Sequence, residues 1–486
     1  MMKIVLINPP LLSNKGDIYG GIPSLPTGIT YIAGYLRNKG HEVYIIDCFG
    51  EAPLRRKMYK DKYWVWGMDL ADAVERITRD IELVGISVHS VAQDLLAQEL
   101  IKLIKEKNTR LPVVVGGAYP TCAYKRFLKM GADYVVLSEG EEAADKLLRH
   151  LKGEFRLNDI DGLAWREGFN PKTKFIEDLD GIPYPAIDLL PLENYWKLGY
   201  AHGPVRGRYT FLITSRGCPY NCNFCAAPYI WQRNYRFHSP KRIVDEIEFY
   251  NRKYGIDNFH IQDDGFATNR QRIDQITNEI MQRNLRIFWG LPAGVKAETI
   301  SIDSLRTMKK AGFNYLSVSP ESGSEKVLNL MNKPLNREHL LNLLKAAQKL
   351  KITTQSCFVL GYPGEQDSDR VLTGQFIKEI TRMGVDEIAI YIMSPLPGSY
   401  SFAQFFPDGD VTVAPEEISF SPRWRKDYVA LNRVRTKMYF VFLLNKLLFH
   451  PVKCIRSLCN ILTRRFETKM EMTIYRLLKA NFGLPM

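Results

Sequence analysis

Two runs of alternating strand-like and helix-like segments, one on each side of residues 151–205, constrain the fold of this chain more than any other feature. In the first 150 residues, short apolar stretches end in loop-type residues, and helical stretches at 27–40 and 94–108 lie between them. This alternation predicts an α/β fold with a doubly wound, Rossmann-like parallel sheet that binds ligands at the carboxyl ends of its strands. The strand-like stretches are KIVLINPP (3–10), EVYIID (42–47), LVGISVHS (83–90), PVVVGG (112–117) and YVVLSEGE (134–141).

The alternation resumes after residue 205 and predicts a second unit with its own core. Because 486 residues are too many for one ordinary core, we expect two or three domains. We place them at 1–150 and 206–405, joined by a linker at 151–205 that is rich in Gly, Pro and aromatic residues. Strands separated by helices are typical of a complete or partial β/α, TIM-like barrel, with its chemistry at the C-terminal ends of the strands. The six strand candidates are YTFLITSRG, NFHIQDD, RIFWGLP, YLSVSPES, TTQSCFVLGYPGE and EIAIYIMSPLPGS.

The C-terminal region, 406–486, is predicted to be helical and basic. Residues 421–486 contain 14 Lys or Arg and 3 Asp or Glu, which is most of the formal net charge of +13. The apolar stretch YFVFLLNKLLFH (439–450) is shorter than the roughly 20 residues of a membrane-spanning helix. A solvated helical cap and a helix lying on a membrane surface both agree with this composition. A nucleic-acid contact is a third interpretation, although we expect no nucleic-acid partner.

Three of the eight cysteines lie within eight positions, in the loop after the first strand of the second unit. Cys218, Cys222 and Cys225 have the spacing C-x3-C-x2-C. We see no secretory signal and expect a reducing cytoplasm, where clustered cysteines are more often metal ligands than disulfides. Structural zinc requires four ligands, and the next downstream candidate is His238, thirteen residues after Cys225. Three thiolates instead suit a [4Fe–4S] cluster that leaves one iron open to a substrate.

The sequence CPYNCNFC resembles the CxxxCxxC signature of the radical S-adenosylmethionine (SAM) superfamily. Further motifs follow in the expected order: IQDDGF (261–266) resembles the second-strand motif, SPESGSEKVL (319–328) the segment that contacts SAM, and VLGYPGE (359–365) the fifth-strand motif. The resemblance covers about residues 208–400 and implies that the three cysteines hold a [4Fe–4S] cluster. It also implies SAM-binding roles for Phe224, Asp264, Glu321, Ser322, Gly361 and Gly364.

The N-terminal unit resembles the cobalamin (B12)-binding domain of cobalamin-dependent radical SAM proteins, the class B methyltransferase-like family. The resemblance lies in LPTGITYIAGYLRNKGHEV, VGISVHS, VVVGGAYPT and GADYVVLSEGE. Strand-end loops of glycine and small residues allow a flat corrin to approach the backbone closely. The resemblance implies cobalamin contacts from Ser87, His89, Gly116, Gly117, Tyr119, Thr121, Glu139 and Gly140.

Two departures from related patterns bear on the cofactors. None of the eight histidines has Asp two residues earlier, so the D-x-H-x-x-G motif that supplies a cobalt ligand in other cobalamin enzymes is absent. Whether His89 contacts cobalt therefore stays open. Methylthiotransferases carry three N-terminal cysteines for a second cluster, whereas this chain has two candidates there, Cys48 and Cys122.

The resemblance implies an enzyme in which the reduced cluster cleaves SAM to methionine and a 5′-deoxyadenosyl radical. That radical would take hydrogen from an unactivated carbon, which would then receive methyl from methylcobalamin. We expect a cytoplasmic C-methyltransferase, with possible peripheral membrane contact, acting on a small-molecule, lipid-like or tetrapyrrole-like substrate. Its electron donor would be a protein such as flavodoxin or ferredoxin. An oxidative cyclase or ring-rearranging enzyme that transfers no methyl is the alternative, and a non-catalytic cobalamin sensor would not require the cluster loop.

Overall fold

The computed structural model describes residues 1–15, 22–406 and 422–482, with the backbone alone for 480–482. Its N-terminal unit is built on a seven-stranded sheet, and all five strand-like stretches predicted there are strands. The elements of this unit are, in chain order, β1 (Lys3–Asn8), β2 (Leu11–Asn14), α1 (Thr27–Asn38), β3 (Glu42–Asp47), α2 (Cys48–Glu51), β4 (Arg56–Tyr59), β5 (Tyr63–Trp66), α3 (Leu70–Glu75), β6 (Leu83–Ser87), α4 (Asp94–Lys107), β7 (Val113–Gly116), α5 (Ala118–Lys129), β8 (Tyr134–Val136), α6 (Glu141–Leu151), β9 (Leu163–Trp165) and β10 (Gly168–Asn170).

The strand order of this sheet is β10-β9-β8-β7-β6-β1-β3, and the five strands from β3 to β8 are parallel. Two apolar clusters cover its faces, one formed with α3, α4 and α5 and the other with α1 and α6. Burial on both faces explains why β1 and β7 are almost continuous runs of Val, Ile and Leu. The doubly wound arrangement is confirmed. A separate antiparallel sheet, β2-β5-β4, adjoins it.

Part of the segment predicted to be a linker, 151–205, belongs to the first sheet. Strands β9 and β10 form a hairpin, and β9 pairs antiparallel with β8. Each of the two strands is only three residues long. A segment that short cannot display a period-two pattern, so the sequence shows only its turn residues. The linker prediction is therefore wrong for these two strands.

The second unit is a partial β/α barrel. Its six parallel strands pair in chain order, β11-β14-β15-β16-β17-β18, and β11 and β18 are unpaired edges within the described sheet. All six predicted strands are present. The elements of this unit are α7 (Leu192–Leu198), β11 (Tyr209–Leu212), β12 (Ser215–Arg216), α8 (Ala227–Trp231), β13 (Arg236–Phe237), α9 (Pro240–Tyr254), β14 (Asn258–Ile261), α10 (Arg270–Gln282), β15 (Phe288–Val295), α11 (Ile302–Lys310), β16 (Phe313–Glu321), α12 (Glu325–Leu330), α13 (Arg337–Lys349), β17 (Thr353–Leu360), α14 (Asp367–Arg382), β18 (Glu387–Ile392) and α15 (Tyr400–Phe405).

Three helices follow the barrel: α16 (Tyr428–Phe449), α17 (Pro451–Thr463) and α18 (Lys469–Phe482). Helix α16 packs on α14 and β18, and α18 contacts the edge strand β18. Residues of α17 and α18 also pack on Tyr200, which precedes the opposite edge strand. These helices therefore close the open side of the barrel, and the prediction of a helical C-terminal region is confirmed.

The apolar content of these helices does not amount to a straight membrane span. Among the described helices, no single one is both long and apolar enough to cross a bilayer. Helices α16 and α17 reach that length and composition only as a pair, and the pair is bent by 111° at the break between them.

Candidate active site

The three clustered cysteines lie on a loop that leaves β12 and ends at α8. Gly217 begins this loop with φ +83°, and a Cβ there would lie 2.1 Å from the carbonyl oxygen of Asn234, so only glycine fits. Cys218, Cys222 and Cys225 are free thiols, each partly exposed. Burial raises the pKa of all three, that of Cys225 to about 12, and neighbouring thiols of the loop also raise the pKa of Cys218 and Cys225. The loop thus brings three thiols close together.

This donor set fits an iron–sulfur cluster better than a zinc ion. Over residues 1–15, 22–406 and 422–482, no three His, Cys, Asp or Glu side chains converge on a site the size of one metal ion. His238, the fourth ligand considered for zinc, instead contacts Asp180 through Nδ1 (3.2 Å). A cubane is larger than a single ion and holds its thiolate ligands further apart, so three thiols on one loop can serve it without converging on one point.

A carboxylate and an ammonium group stand beside the cysteines. Glu321, the last residue of β16, has φ +63°, and Lys333 donates a hydrogen bond to its Oε1 (2.5 Å). The Lys333 ammonium lies 5.7 Å from the ring centre of Phe224, and its charge opposes the rise that burial causes in the pKa of Cys218 and Cys222. A non-glycine residue with positive φ is uncommon, and backbone strain of this kind clusters at functional sites. Lys333 was not predicted, because no motif marks it.

Asp264, in the IQDDGF segment, faces the same loop. Its Oδ2 accepts a hydrogen bond from the Trp231 indole (2.8 Å), and burial raises its pKa to about 6. Its charge also raises the pKa of Cys218 and Cys225. Asp264 nevertheless keeps an exposed surface. A carboxylate that is both desolvated and accessible is placed to accept a hydrogen bond from a ligand at the cysteine loop.

The other predicted SAM contacts lie close by but differ in what they do. Ser322 is fully buried, and its hydroxyl contacts that of Thr373 (3.1 Å) and accepts a hydrogen bond from the Ser324 backbone (3.1 Å). It therefore shapes the turn after β16, and a SAM contact from its side chain stays a prediction. Phe224 packs in a small apolar cluster beneath the cysteine loop.

The glycine motif after β17 forms a turn held by its own glutamate. Gly361 (φ +75°) donates its backbone N–H to Glu365 Oε2 (2.6 Å), and Gly364 also has positive φ (+87°). A Cβ on Gly361 would lie 2.5 Å from the side chain of Leu431 in α16. The turn thus has backbone angles that favour glycine at both positions. Gly361 also lies against a C-terminal helix.

The loops after β6 and β7 form the edge predicted to bind cobalamin. Ser87 and Gly116 end these two strands and are partly exposed. Gly117 has φ +120°, and a Cβ there would lie 2.4 Å from the Val88 carbonyl oxygen, so the two loops touch. The His89 side chain makes no hydrogen bond to any described residue. The ring is exposed at this edge, and desolvation lowers its pKa.

Three other predicted cobalamin contacts are engaged within the protein. The Tyr119 hydroxyl donates to Asp94 in the domain core (2.9 Å). Thr121 donates to the Gly117 carbonyl and accepts from the Ser138 backbone, both at 2.8 Å. Gly140 precedes α6, and a Cβ there would lie 2.9 Å from Ile32. The Tyr119 hydroxyl is thus engaged in the domain core, and Thr121 and Gly140 shape the loop backbone. Their cobalamin contacts stay predictions.

Glu139, the remaining predicted contact, joins the two units. Its Oε1 accepts hydrogen bonds from Arg216 (3.0 Å) and Arg236 (2.7 Å), and all three side chains are buried. Arg216 also donates to Glu141 (2.6 Å). The carboxylate of Glu139 is therefore engaged by the second unit, and its cobalamin contact stays a prediction. Because Arg216 lies two residues before Cys218, these ion pairs fix the cysteine loop against the loop after β8.

Comparisons with known proteins match both units. The B12 binding domain family matches residues 23–148, and the Radical SAM superfamily matches residues 212–377. These two domains take cobalamin, and SAM with a [4Fe–4S] cluster, as their cofactors. The thiols of the cysteine loop and the exposed strand-end loop of His89 are compatible with them.

Curated relatives of similar length include an uncharacterized methyltransferase of Pyrococcus horikoshii, 29% identical over 82% of this chain and 82% of its own length. A cytidylyl-2-hydroxyethylphosphonate methyltransferase of Streptomyces wedmorensis is 27% identical over 88% of this chain and 85% of its own length. The anaerobic magnesium-protoporphyrin IX monomethyl ester cyclase of Rubrivivax gelatinosus is 26% identical over 79% of this chain and 66% of its own length.

The fold is similar to that of the radical SAM methyltransferase TsrM from Kitasatospora setae, solved with cobalamin and a [4Fe–4S] cluster bound. The TM-score is 0.67 at 17% identity, and the match covers 84% of this chain and 75% of that one.

Proposed function

Since the chain belongs to the cobalamin-binding radical SAM proteins, we propose that it methylates an unactivated carbon of a small-molecule, lipid-like or tetrapyrrole-like substrate. When bound, the cluster would supply the one-electron reduction that cleaves SAM, the cleaved SAM would remove a hydrogen atom from carbon, and cobalamin would supply the methyl group. The proposal includes a flavodoxin or ferredoxin as the electron donor. Methyltransferases among the relatives of similar length favour this chemistry over the alternatives.

The observation that carries the proposal is the buried ion pairing of Arg216 with Glu139 and Glu141. It fixes the loop that would hold the cluster against the sheet whose strand ends would hold the corrin. A reaction that uses two cofactors on one substrate requires both cofactors to be held at fixed positions relative to that substrate. A protein that only sensed cobalamin would gain nothing from this arrangement.

The chain's own residues then take distinct roles in the proposal. Cys218, Cys222 and Cys225 would hold three irons and leave the fourth for SAM. Asp264 and Glu321 would accept hydrogen bonds from the cationic or hydroxyl groups of SAM, with Lys333 orienting Glu321 through its hydrogen bond. The loops of Ser87, His89 and Gly117 would carry the corrin.

Product analysis tests the proposal. Anaerobic protein containing both cofactors would be supplied with SAM, reductant and extracts of a deletion strain. Radical methylation consumes two SAM molecules and yields S-adenosylhomocysteine and 5′-deoxyadenosine together with a metabolite that has gained one methyl group. Formation of 5′-deoxyadenosine and a changed metabolite without S-adenosylhomocysteine would reject methylation.

That second outcome would instead identify an oxidative cyclase or ring-rearranging enzyme. The similarity to the cyclase of Rubrivivax gelatinosus is the observation that favours this alternative.

We also propose that α16 and α17 contact an anionic membrane surface. Between residues 428 and 466 the chain has no Asp or Glu. Large apolar side chains of both helices are exposed, together with Arg433, Lys437 and Arg456. A basic helix with an exposed apolar face suits an anionic lipid surface. The exposed apolar residues are Val429, Phe440, Leu443, Leu444, Leu447, Leu448, Phe449, Val452, Ile455, Leu458 and Leu462.

A further inference from the structure

Helix α18 places a lysine inside the barrel, on the side opposite the cysteine loop. Lys469, its first residue, donates its Nζ to the carbonyl oxygen of Pro292 in β15 (2.7 Å). The start of the helix is held by Glu387, the first residue of β18, which accepts the backbone N–H groups of Lys469 (3.0 Å) and Met470 (2.7 Å). The position of Lys469 is therefore fixed by the barrel, and its side chain points into the interior.

The Lys469 ammonium has no carboxylate partner. Within the described ranges it forms no ion pair, and of its three donors only the one to Pro292 is used. The Cys357 thiol and the Glu387 carboxylate are the acidic groups that act on it, and Glu387 already accepts two backbone N–H groups and the Tyr315 hydroxyl (2.5 Å). Burial lowers the pKa of Lys469. An ammonium kept in the interior without a counter-ion is costly and contributes nothing to stability.

His202 offers a second donor in the same space. The Gln262 amide donates to its Nδ1 (3.2 Å), so the neutral ring carries its proton on Nε2. That Nε2 makes no hydrogen bond within the described residues. Burial lowers the pKa of His202 well below its usual range, and the charges of Lys469 and His89 lower it further. Gly203, the next residue, packs on Pro292, since a Cβ on Gly203 would lie 2.8 Å from Pro292 Cβ. His202 therefore lies beside the residue whose carbonyl holds the Lys469 ammonium.

We infer that Lys469 and the Nε2–H of His202 bind an anionic oxygen group of the substrate, a phosphate, phosphonate or carboxylate. The two donors come from opposite edges of the open barrel, since His202 precedes β11 and Lys469 follows β18. An oxyanion supplies the missing counter-ion and accepts a charge-assisted hydrogen bond from the lysine. The remainder of the substrate would extend from this group towards the cysteine loop. This inference rests on the proposed function only for the presence of a substrate.

The experiment measures the thermal unfolding midpoint of anaerobic protein whose iron and cobalamin contents have been determined. Sodium phosphate and sodium acetate are titrated at constant ionic strength against sodium chloride. A bound anion raises the midpoint as its concentration exceeds the dissociation constant. We expect the wild-type midpoint to rise with phosphate, acetate or both, which also distinguishes a phosphate-type from a carboxylate group.

Substitutions then assign the effect. Lys469→Met should remove the response and, without added anion, leave the midpoint equal to or above that of the wild type, since an unpaired buried charge has been removed. His202→Phe should weaken the response, and Lys469→Arg should keep part of it. Lys479→Met, on the same helix, is the matched control and should respond like the wild type.

Three results would overturn the inference: no response to either anion in the wild type, an undiminished response in Lys469→Met, or a lowered midpoint for Lys469→Met without anion. The last would make the lysine a structural residue. The readout is independent of turnover, so a protein that binds anions but forms no methylated product would contradict only the proposed function.

Discussion

Lys333 donates a hydrogen bond to Glu321 (2.5 Å), and the pair lies beside the loop of the three clustered cysteines. Burial lowers the pKa of Lys333 because it disfavours the charged form. The Glu321 carboxylate raises that pKa by more, so the pKa of Lys333 lies above its ordinary value. The backbone of Glu321 has φ +63° at a register shift between β16 and β17. A charged pair and a strained backbone at one position indicate a side chain held ready for a ligand.

Glu321→Gln should therefore weaken SAM binding. The substitution keeps the size of the side chain but removes the charge, and losing a hydrogen bond between charged groups costs roughly 1.5–3 kcal/mol, or about ten- to a hundredfold in affinity. Equilibrium binding of SAM to reconstituted protein measures this effect, and the iron content should not change. Glu325→Gln, exposed at the start of α12, is the control. An unchanged dissociation constant for Glu321→Gln would exclude its role.

Replacing Cys218, Cys222 and Cys225 together by Ala should remove the cluster. Anaerobically reconstituted wild-type protein should contain about four irons and four sulfides per chain. The triple variant should lose the iron and still bind cobalamin, because the cobalamin loops lie on the other sheet. Iron analysis and cobalamin absorption measure both. Cys459→Ala, in α17, is the control. Iron retained by the triple variant, or stoichiometric zinc in the wild type, would contradict the cluster assignment.

Glu141→Gln should destabilise the protein by roughly 3–5 kcal/mol, because it leaves the buried Arg216 guanidinium without one of its counter-ions. Burial alone raises the pKa of Glu141, but Arg216 outweighs burial and holds it below its ordinary value of 4.5. The pair therefore stabilises the fold fully above about pH 4.5, and this is lost as the pH falls through the folded pKa.

Denaturant unfolding as a function of pH measures the contribution of Glu141. The difference between wild type and Glu141→Gln should be largest near neutral pH and shrink under acid. The exposed neighbour Glu142→Gln should behave like the wild type. Equal stability of wild type and Glu141→Gln at pH 7 would show that the pair contributes nothing.

The strands and the cysteine loop were predictable because their signals are local. Apolar stretches of β1 or β17 record burial on both faces, and the spacing of Cys218, Cys222 and Cys225 lies within one loop. The roles of Tyr119 and Glu139 were not predictable. Both residues follow strands at the edge that is expected to bind a ligand. The sequence motif does not specify the direction in which each side chain points in the fold.

Lys333 and Lys469 were missed for a related reason. Each gains its importance from partners far along the chain: Lys333 from the cysteine loop, and Lys469 from Pro292 and Glu387. In sequence they are ordinary lysines among 66 basic residues. Only the folded chain shows that one is paired beside the thiols and that the other is unpaired inside the barrel.

The exposed apolar face of α16 and α17 should bind vesicles that contain anionic lipid. Wild-type protein should sediment with phosphatidylglycerol-containing vesicles and not with pure phosphatidylcholine, and binding should weaken with salt because the basic side chains contribute. Leu448 and Ile455 are 66% and 64% exposed, and replacing both by Ser should abolish binding. Val371→Ser, on α14 and 58% exposed, is the control. Equal sedimentation of the Leu448/Ile455 variant and the wild type would reject this surface.

Bound cobalamin should have neither its own base nor a protein histidine on the lower face of cobalt. The chain has no D-x-H-x-x-G motif, and His89 is the described histidine on the loops of the predicted cobalamin edge. Its ring has no hydrogen-bonding partner among the described residues to orient it as a ligand, whereas metal-bound histidines are normally held by a second group. Electron paramagnetic resonance of the cob(II)alamin form measures this, because a coordinated nitrogen splits each cobalt line into three. We expect no such splitting, and the spectrum of His89→Ala should match that of the wild type. Splitting that becomes a doublet pattern in nitrogen-15-labelled protein and disappears in His89→Ala would identify His89 as the cobalt ligand and overturn the prediction.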